Sequence, residues 1–257
     1  MLNKSIGFIG GGRITRIFIE RMIKTDKLPP KVIVSDTNDA VLSELKQKFP
    51  VIEKGNNIDA AGQELVIVSL HPPVFADVMR EVKEFIKKDS LLLSLAPKIT
   101  IAKISEMLNG FDRIIRMNPN SPSIIGEGFN PVVFAEGISS KTKNEMKDLF
   151  AVFGNSPEVK ESLLETYAVI TAMGPTYLQF QFEKISEMAV SFGISGEEVK
   201  NTISKMVEGA VQLWANSNYS FEEVYNMVPV KPMLQDEETI KNIYNTRLNE
   251  INNKLKS

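Results

Sequence analysis

The sequence predicts an α/β protein: a mainly parallel sheet with flanking helices, followed by an all-helical region. Three observations carry this. An apolar run meets three consecutive glycines and then an amphipathic segment at Ile6 to Thr15 (IGFIGGGRIT). Apolar runs of strand length then alternate with segments of helical period. After about residue 160 the strand-like runs stop and the remainder reads as helices with polar starts. The chain of 257 residues is read as two domains, 1–160 and 161–257.

The first run, Ile6 to Ile9, is a strand that turns into a helix starting near Arg13. Gly10 makes the tight turn, Gly11 follows it, and Gly12 removes a Cβ that would block an approaching diphosphate. Arg13 and Ile14 open a helix whose free N–H groups and positive dipole end favour an anion. The third fingerprint position is Thr15 in place of the usual small residue. The next strand, Val32 to Ser35, ends in Asp36, at the distance where a carboxylate meets the adenosine ribose. Asp36 is equally a natural turn former in the DTND segment. A carboxylate there repels a 2′-phosphate, and neither Thr37 nor Asn38 offers a cation, which favours NAD over NADP.

Further strands are expected at Leu65 to Leu70, Leu91 to Leu95, Ile114 to Met117 and Val132 to Ala135, with helices such as Val74 to Ile86 and Lys141 to Phe153. The continuous apolar runs VIVSL and LLLSL fit strands buried on both faces of a parallel, Rossmann-type sheet. Ligands of such sheets bind beyond the carboxyl ends of the strands. The residues there are Leu70, His71 and Pro72 after one strand, Ala96 to Lys98 after the next, and Asn118, Pro119 and Asn120 after a third.

In the helical region, Ser195 with Glu198 and Ser220 with Glu223 have capping-box form. Val207, Ala210, Val211 and Trp214 make an apolar stripe that requires cover, either from this chain's own core or from a second subunit.

An apolar fraction of 43% with 24% charged residues is that of a globular protein. The net charge of −2, with both signs mixed, leaves no electrostatic footprint for nucleic acid or an anionic membrane, so a small molecule is the expected partner. No run approaches the ~20 apolar residues of a membrane span. The absence of cysteine excludes disulfides, thiolate metal sites and a cysteine nucleophile, and suits the cytoplasm. No metal site is expected, and neither a metalloprotease motif nor a serine elbow occurs.

The motifs together resemble the pyrroline-5-carboxylate reductases. IGFIGGGRIT is similar to that family's glycine opening, Arg116-Met117-Asn118-Pro119-Asn120-Ser121-Pro122 to its R-x-M-P-N-T-P, and Gly174-Pro175-Thr176-Tyr177 with Glu183 to its G-S-G-P-A-Y helix opening and later acidic residue. The resemblance implies an NADP- or NAD-binding domain, a helical domain that forms a homodimer or higher homo-oligomer, and hydride transfer to the carbon of a cyclic imine. It points to Thr176 and Glu183 as candidate catalytic groups, and the position past the strands on the ligand-binding edge adds His71 and Lys98. His71, the only histidine, suits a proton or hydrogen-bond donor to cofactor or substrate, or a cofactor contact. Lys98 is otherwise a solvated loop charge and Glu183 an interface or ion-paired carboxylate. The Asn118 and Asn120 amides could bond a nicotinamide or simply form the turn.

Where the family has V-K-P, this chain has Leu70-His71-Pro72, and for I-A-A-G it has Leu95-Ala96-Pro97-Lys98. The family's S-P-G-G-T-T substrate loop is replaced by Val228-Pro229-Val230-Lys231-Pro232-Met233, in which only Lys231 could meet a carboxylate. Two alternatives follow. One is a nucleotide-binding relative that has lost the reaction and serves in regulation or interaction. The other is a reductase using a deazaflavin donor with NADP.

Overall fold

In the computed structural model, residues 5–256 are described. Nine strands and eleven α-helices follow in order. The strands are β1 (Ile6–Ile9), β2 (Val32–Ser35), β3 (Glu53–Lys54), β4 (Leu65–Val68), β5 (Leu91–Ser94), β6 (Ile114–Met117), β7 (Gly128–Phe129), β8 (Val132–Phe134) and β9 (Gly154–Asn155). Helices α1 (Arg13–Lys24), α2 (Asp39–Lys48), α3 (Asn57–Ala61), α4 (Pro72–Val82), α5 (Ile101–Met107), α6 (Ser140–Phe150) and α7 (Glu161–Tyr167) accompany the sheet. A π-helical turn at Ala168–Ala172 leads to α8 (Gly174–Ser191), α9 (Gly196–Asn216), α10 (Phe221–Asn226) and α11 (Glu237–Lys256).

Seven strands form one sheet in the order β3-β2-β1-β4-β5-β6-β8, parallel except for β8, which runs antiparallel to β6. This order reverses direction on either side of β1, so the crevice between the carboxyl ends of β1 and β4 is a topological switch point. All residues of β1, β2, β4, β5 and β6 are buried, as the largely apolar character of these strands requires when both faces are covered. Helix α1 presents Phe18, Ile19 and Met22 to the core, and Phe18 stacks on Phe153 with ring centroids 4.2 Å apart.

The chain separates into two compact units, Met1–Pro175 with Asn252–Ser257, and Thr176–Ile251. The change in sequence character near residue 160 comes earlier than this division. Helix α7 packs along β8 and the segment that follows buries Ala168 and Val169, so it stays with the sheet. The second unit is helical, and among its described residues only Val199 and Ile203 are buried apolar side chains. Val211 and Trp214 of the predicted stripe are exposed, so this chain's own core does not cover them.

Element ends shift slightly from expectation. Helix α4 begins at Pro72, because two prolines suit the first turn and His71 takes the N-cap position. Ser220 and Glu223 close a reciprocal capping box. Ser195 caps α9 through the Glu198 amide, but its hydroxyl donates to the Glu198 carboxylate at 2.9 Å, and the reciprocal backbone bond is not formed.

Helices α1 and α2 are joined by Glu20, which accepts from Lys48 at 2.6 Å and Lys24 at 2.9 Å. These hydrogen bonds, Lys48 first, hold its carboxyl down to about 2 from an ordinary 4.5. A depressed carboxyl pKa contributes stability above the unfolded value that fades as pH falls toward the folded one. Glu20→Gln should therefore lower the melting temperature near neutral pH by roughly 2–4 °C, the effect of about 1 kcal/mol in a chain of this size. Near pH 2 the two proteins should melt together, which calorimetry across the pH range would check.

Candidate functional site

Beyond Ile9 the chain leaves β1 and enters α1 within three residues. Gly10 adopts φ 101°, and a Cβ there would lie 2.5 Å from the Ser69 carbonyl oxygen. A side chain is thus excluded by both conformation and space. The Gly10 amide donates to the Ser35 carbonyl at 2.8 Å, and its own carbonyl accepts from Thr15 Oγ1 at 2.5 Å. Thr15 is fully buried. Its hydroxyl ties the first turn of α1 back to the strand end, which accounts for a threonine where a smaller residue is usual.

Gly12 has an ordinary φ of −71°, and a Cβ built on it meets nothing within 4 Å. It is the N-cap of α1, yet no side chain caps the helix and its first turn holds no acidic residue. A positive helix end with open space above it suits a diphosphate. Asp36 lies beside this turn: Oδ2 accepts from the Gly11 amide and Oδ1 from the Asn38 amide, each at 2.8 Å. Asp36 is thus a turn former that also borders the glycine loop.

From Gly12, Arg13 and Ile14 a cavity of about 630 Å³ extends over the sheet edge. Ser69, Leu70 and His71 line it after β4, Leu95 and Pro97 after β5, and Asn118 and Pro119 after β6. Ala168, Ala172 and Met173 close the far side, joined by Leu255 from the last turn of α11. His71 is exposed at this cavity.

Other expected contacts fall elsewhere. Ala96 is buried in the core beneath the turn, so its neighbours Leu95 and Pro97 line the cavity instead. Pro72 and Lys98 line an adjoining cavity of about 560 Å³ between α4 and α5. Lys98 gets there through a left-handed backbone, φ 69°, which costs a non-glycine residue about 1–2 kcal/mol. Asn120 is committed internally: its Nδ2 donates to the Thr171 carbonyl and its Oδ1 accepts from the Phe129 amide, both at 3.2 Å. Asn118 Nδ2 donates to the Leu164 carbonyl at 2.6 Å, and no donor among the described residues meets its Oδ1. Thr176 and Glu183 are exposed on α8 in the helical unit, and Glu183 forms no ion pair among the described residues. In the same unit the Lys231 ammonium lies 4.6 Å from the Tyr225 ring centroid and donates to Asn226 Oδ1 at 3.2 Å.

Three residues that the sequence reading left without a role stand behind the cavity. Arg116, 1% exposed, donates from Nη1 to Glu161 Oε1 at 2.9 Å and from Nη2 to Glu165 Oε1 at 2.6 Å. The same Glu165 oxygen accepts from the Lys98 amide at 3.0 Å, and the same Glu161 oxygen from the Ile101 amide at 2.7 Å. Removing one member of such a buried set strands a charge, at a cost of about 3–5 kcal/mol. A signal for it was present: an arginine inside the apolar run Ile114–Met117 demands carboxylates, and Glu161 and Glu165 share one helix face.

Residues 5–98 match the family model described as NADP oxidoreductase coenzyme F420-dependent. The pyrroline-5-carboxylate reductase of Corynebacterium melassecola is 24% identical over 213 residues, covering 81% of this chain and 79% of the relative. That of Arabidopsis thaliana is 26% identical over 214 residues, covering 81% and 76%. Over about four fifths of its length the chain is thus similar to pyrroline-5-carboxylate reductases. Two solved structures have a similar fold. The Plasmodium falciparum pyrroline carboxylate reductase crystallised with NADP superposes with a TM-score of 0.84 at 20% identity, covering 100% of this chain and 98% of the other. The Streptococcus pyogenes enzyme gives 0.82 at 18% identity, with 98% of each chain covered.

The two glycines of the turn separate by experiment. Gly10→Ala should cost roughly 1–3 kcal/mol in urea unfolding, since it strains both φ and the contact with Ser69. Gly12→Ala, with ordinary φ and open space, should shift unfolding by less than about 0.5 kcal/mol.

Proposed function

We propose that the protein is a cytoplasmic NAD(P)H-dependent reductase of the pyrroline-5-carboxylate reductase type, reducing the C=N bond of a small cyclic imino acid. The observation that carries this reading is the continuity of the cavity: it starts at the uncapped end of α1 and runs across the carboxyl ends of β4, β5 and β6. Similarity to pyrroline-5-carboxylate reductases supports the chemistry, and so does the open space above Gly12, which a diphosphate would fill.

A bound nicotinamide dinucleotide supplies the hydride. The first-turn amides of α1 receive its diphosphate, and the Asp36 carboxylate faces the adenosine ribose. With Thr37 and Asn38 beside it and no cation there, Asp36 favours the ribose without a 2′-phosphate, hence NADH. Asn118 Oδ1 offers an acceptor where the strands end. Leu70, Leu95, Pro97 and Ala172 exclude water and hold the reacting partners face to face, from which most of the rate comes. His71, exposed at the cavity, donates a proton or hydrogen bond toward the imine nitrogen. Roles for Thr176 and Glu183 rest on the resemblance alone.

A second reading, a nucleotide-binding relative without reductase activity, is favoured by one observation. Lys231 is already engaged by Tyr225 and Asn226, and Val228, Val230 and Met233 around it are exposed apolar side chains with no group to hold a substrate carboxylate. The assay is oxidation of NADH and of NADPH by the purified protein with pyrroline-5-carboxylate. Turnover is expected with both cofactors and faster with NADH, and Gly12→Val should weaken cofactor binding at least tenfold with the fold intact. Tight cofactor binding without turnover would establish the second reading instead.

The helical unit supports self-association. Phe180, Phe192 and Trp214, three large apolar side chains, are 67%, 77% and 66% exposed. A homodimer or higher homo-oligomer would cover them. Trp214→Glu should shift the protein toward monomers in size-exclusion chromatography with light scattering. An unchanged mass would remove this surface from the interface.

A further inference from the structure

The buried cluster of Arg116, Glu161 and Glu165 makes no bond to the glycine turn or Asp36, yet three elements that it joins carry walls of the cavity. Two residues past Arg116 on its strand stands Asn118, which lines the cavity beside Pro119. The Lys98 amide held by Glu165 directly follows Pro97, another lining residue. Glu161 and Glu165 belong to α7, which continues into the π turn carrying Ala168 and Ala172. Three walls contributed by β6, by the turn after β5 and by α7 thus converge on one guanidinium.

The details favour a device for alignment over simple packing. The Glu165 oxygen that accepts from Arg116 also accepts the Lys98 N–H of the turn after β5, and the Glu161 oxygen accepts the Ile101 N–H at the start of α5, so the strand, the turn and the helix start share a single anchor. That turn includes the left-handed Lys98, a conformation that persists only where its surroundings impose it. Arg116 Nε has no partner among the described residues, so its bonding there is directed at the two carboxylates through the terminal nitrogens. A lysine, with one point charge, cannot hold both in that geometry.

We propose that Arg116, Glu161 and Glu165 are positioning residues that set the nicotinamide half of the cavity, independently of the adenosine half. This rests on the dinucleotide reading given above. The cluster governs how the three walls grip the ring end of the cofactor, while the α1 turn and Asp36 hold the other end without it.

The test compares wild type, Arg116→Lys and Glu165→Gln in titrations with NADH and with ADP-ribose, which lacks the nicotinamide. Hydrogen exchange is followed in residues 95–101, 117–121 and 161–173, with residues 10–15 as reference. In Arg116→Lys, ADP-ribose affinity should stay within about twofold, while the advantage of NADH over ADP-ribose shrinks at least fivefold. The three wall segments should exchange faster together, and the reference turn should not change. Glu165→Gln keeps an acceptor oxygen for the Lys98 amide and should fall between the two; it carries the same comparison if Arg116→Lys does not fold. Parallel loss of both ligands, or no change in NADH affinity and exchange, would overturn the inference while leaving the dinucleotide reading standing. A wild type that binds neither ligand would overturn that reading and this inference with it.

Discussion

A parallel sheet buried on both faces can offer polar groups only where its strands end, and this constraint organises the whole first unit. Every central strand is apolar and covered, so the chain places its turn-forming, charged and amide residues just past Ile9, Ser35, Val68, Ser94 and Met117. The reversal of strand order about β1 opens the crevice there, and the cavity occupies it. Glycine at position 10 follows from the same constraint, because the chain must turn sharply against the neighbouring Ser69 backbone before α1 can begin.

Arg116 is the exception to that rule, since it lies within β6 and is almost wholly buried. Water is replaced by two carboxylates in a geometry that also captures two backbone amides. Such arrangements seldom add net stability over an apolar core, but losing one partner alone is strongly destabilising. The ion set therefore specifies how α7 and the turn after β5 lie on the sheet.

Much of this was legible in the sequence. Five strands buried at every residue, the glycine turn, Asp36 and the switch to helices after residue 160 follow from apolar runs and turn residues. The two-residue strands β3, β7 and β9 were not legible, for they are too short to show a period. Residue positions indicated which strand ends meet, but not where side chains point. Ala96 and Lys98 flank Pro97, yet one is turned into the core and the other into a neighbouring cavity by its left-handed backbone. Nor could spacing show that both asparagines direct their amide nitrogens to carbonyls in the segment 164–171, which lies far from them in the chain. Glu161 and Glu165 were missed because their partner was read only as part of a motif, when a charge in an apolar strand was itself a demand for two acids.

Thr15 gives the glycine turn a property that sequence fingerprints do not describe. Its hydroxyl, the Gly10 amide and the Asp36 carboxylate brace the loop from three sides through bonds within the chain itself. An incoming dinucleotide would find a rigid seat and lose little entropy in ordering it. Discrimination between related dinucleotides then falls to the two ends of the molecule, because its centre meets the same unyielding backbone in every case.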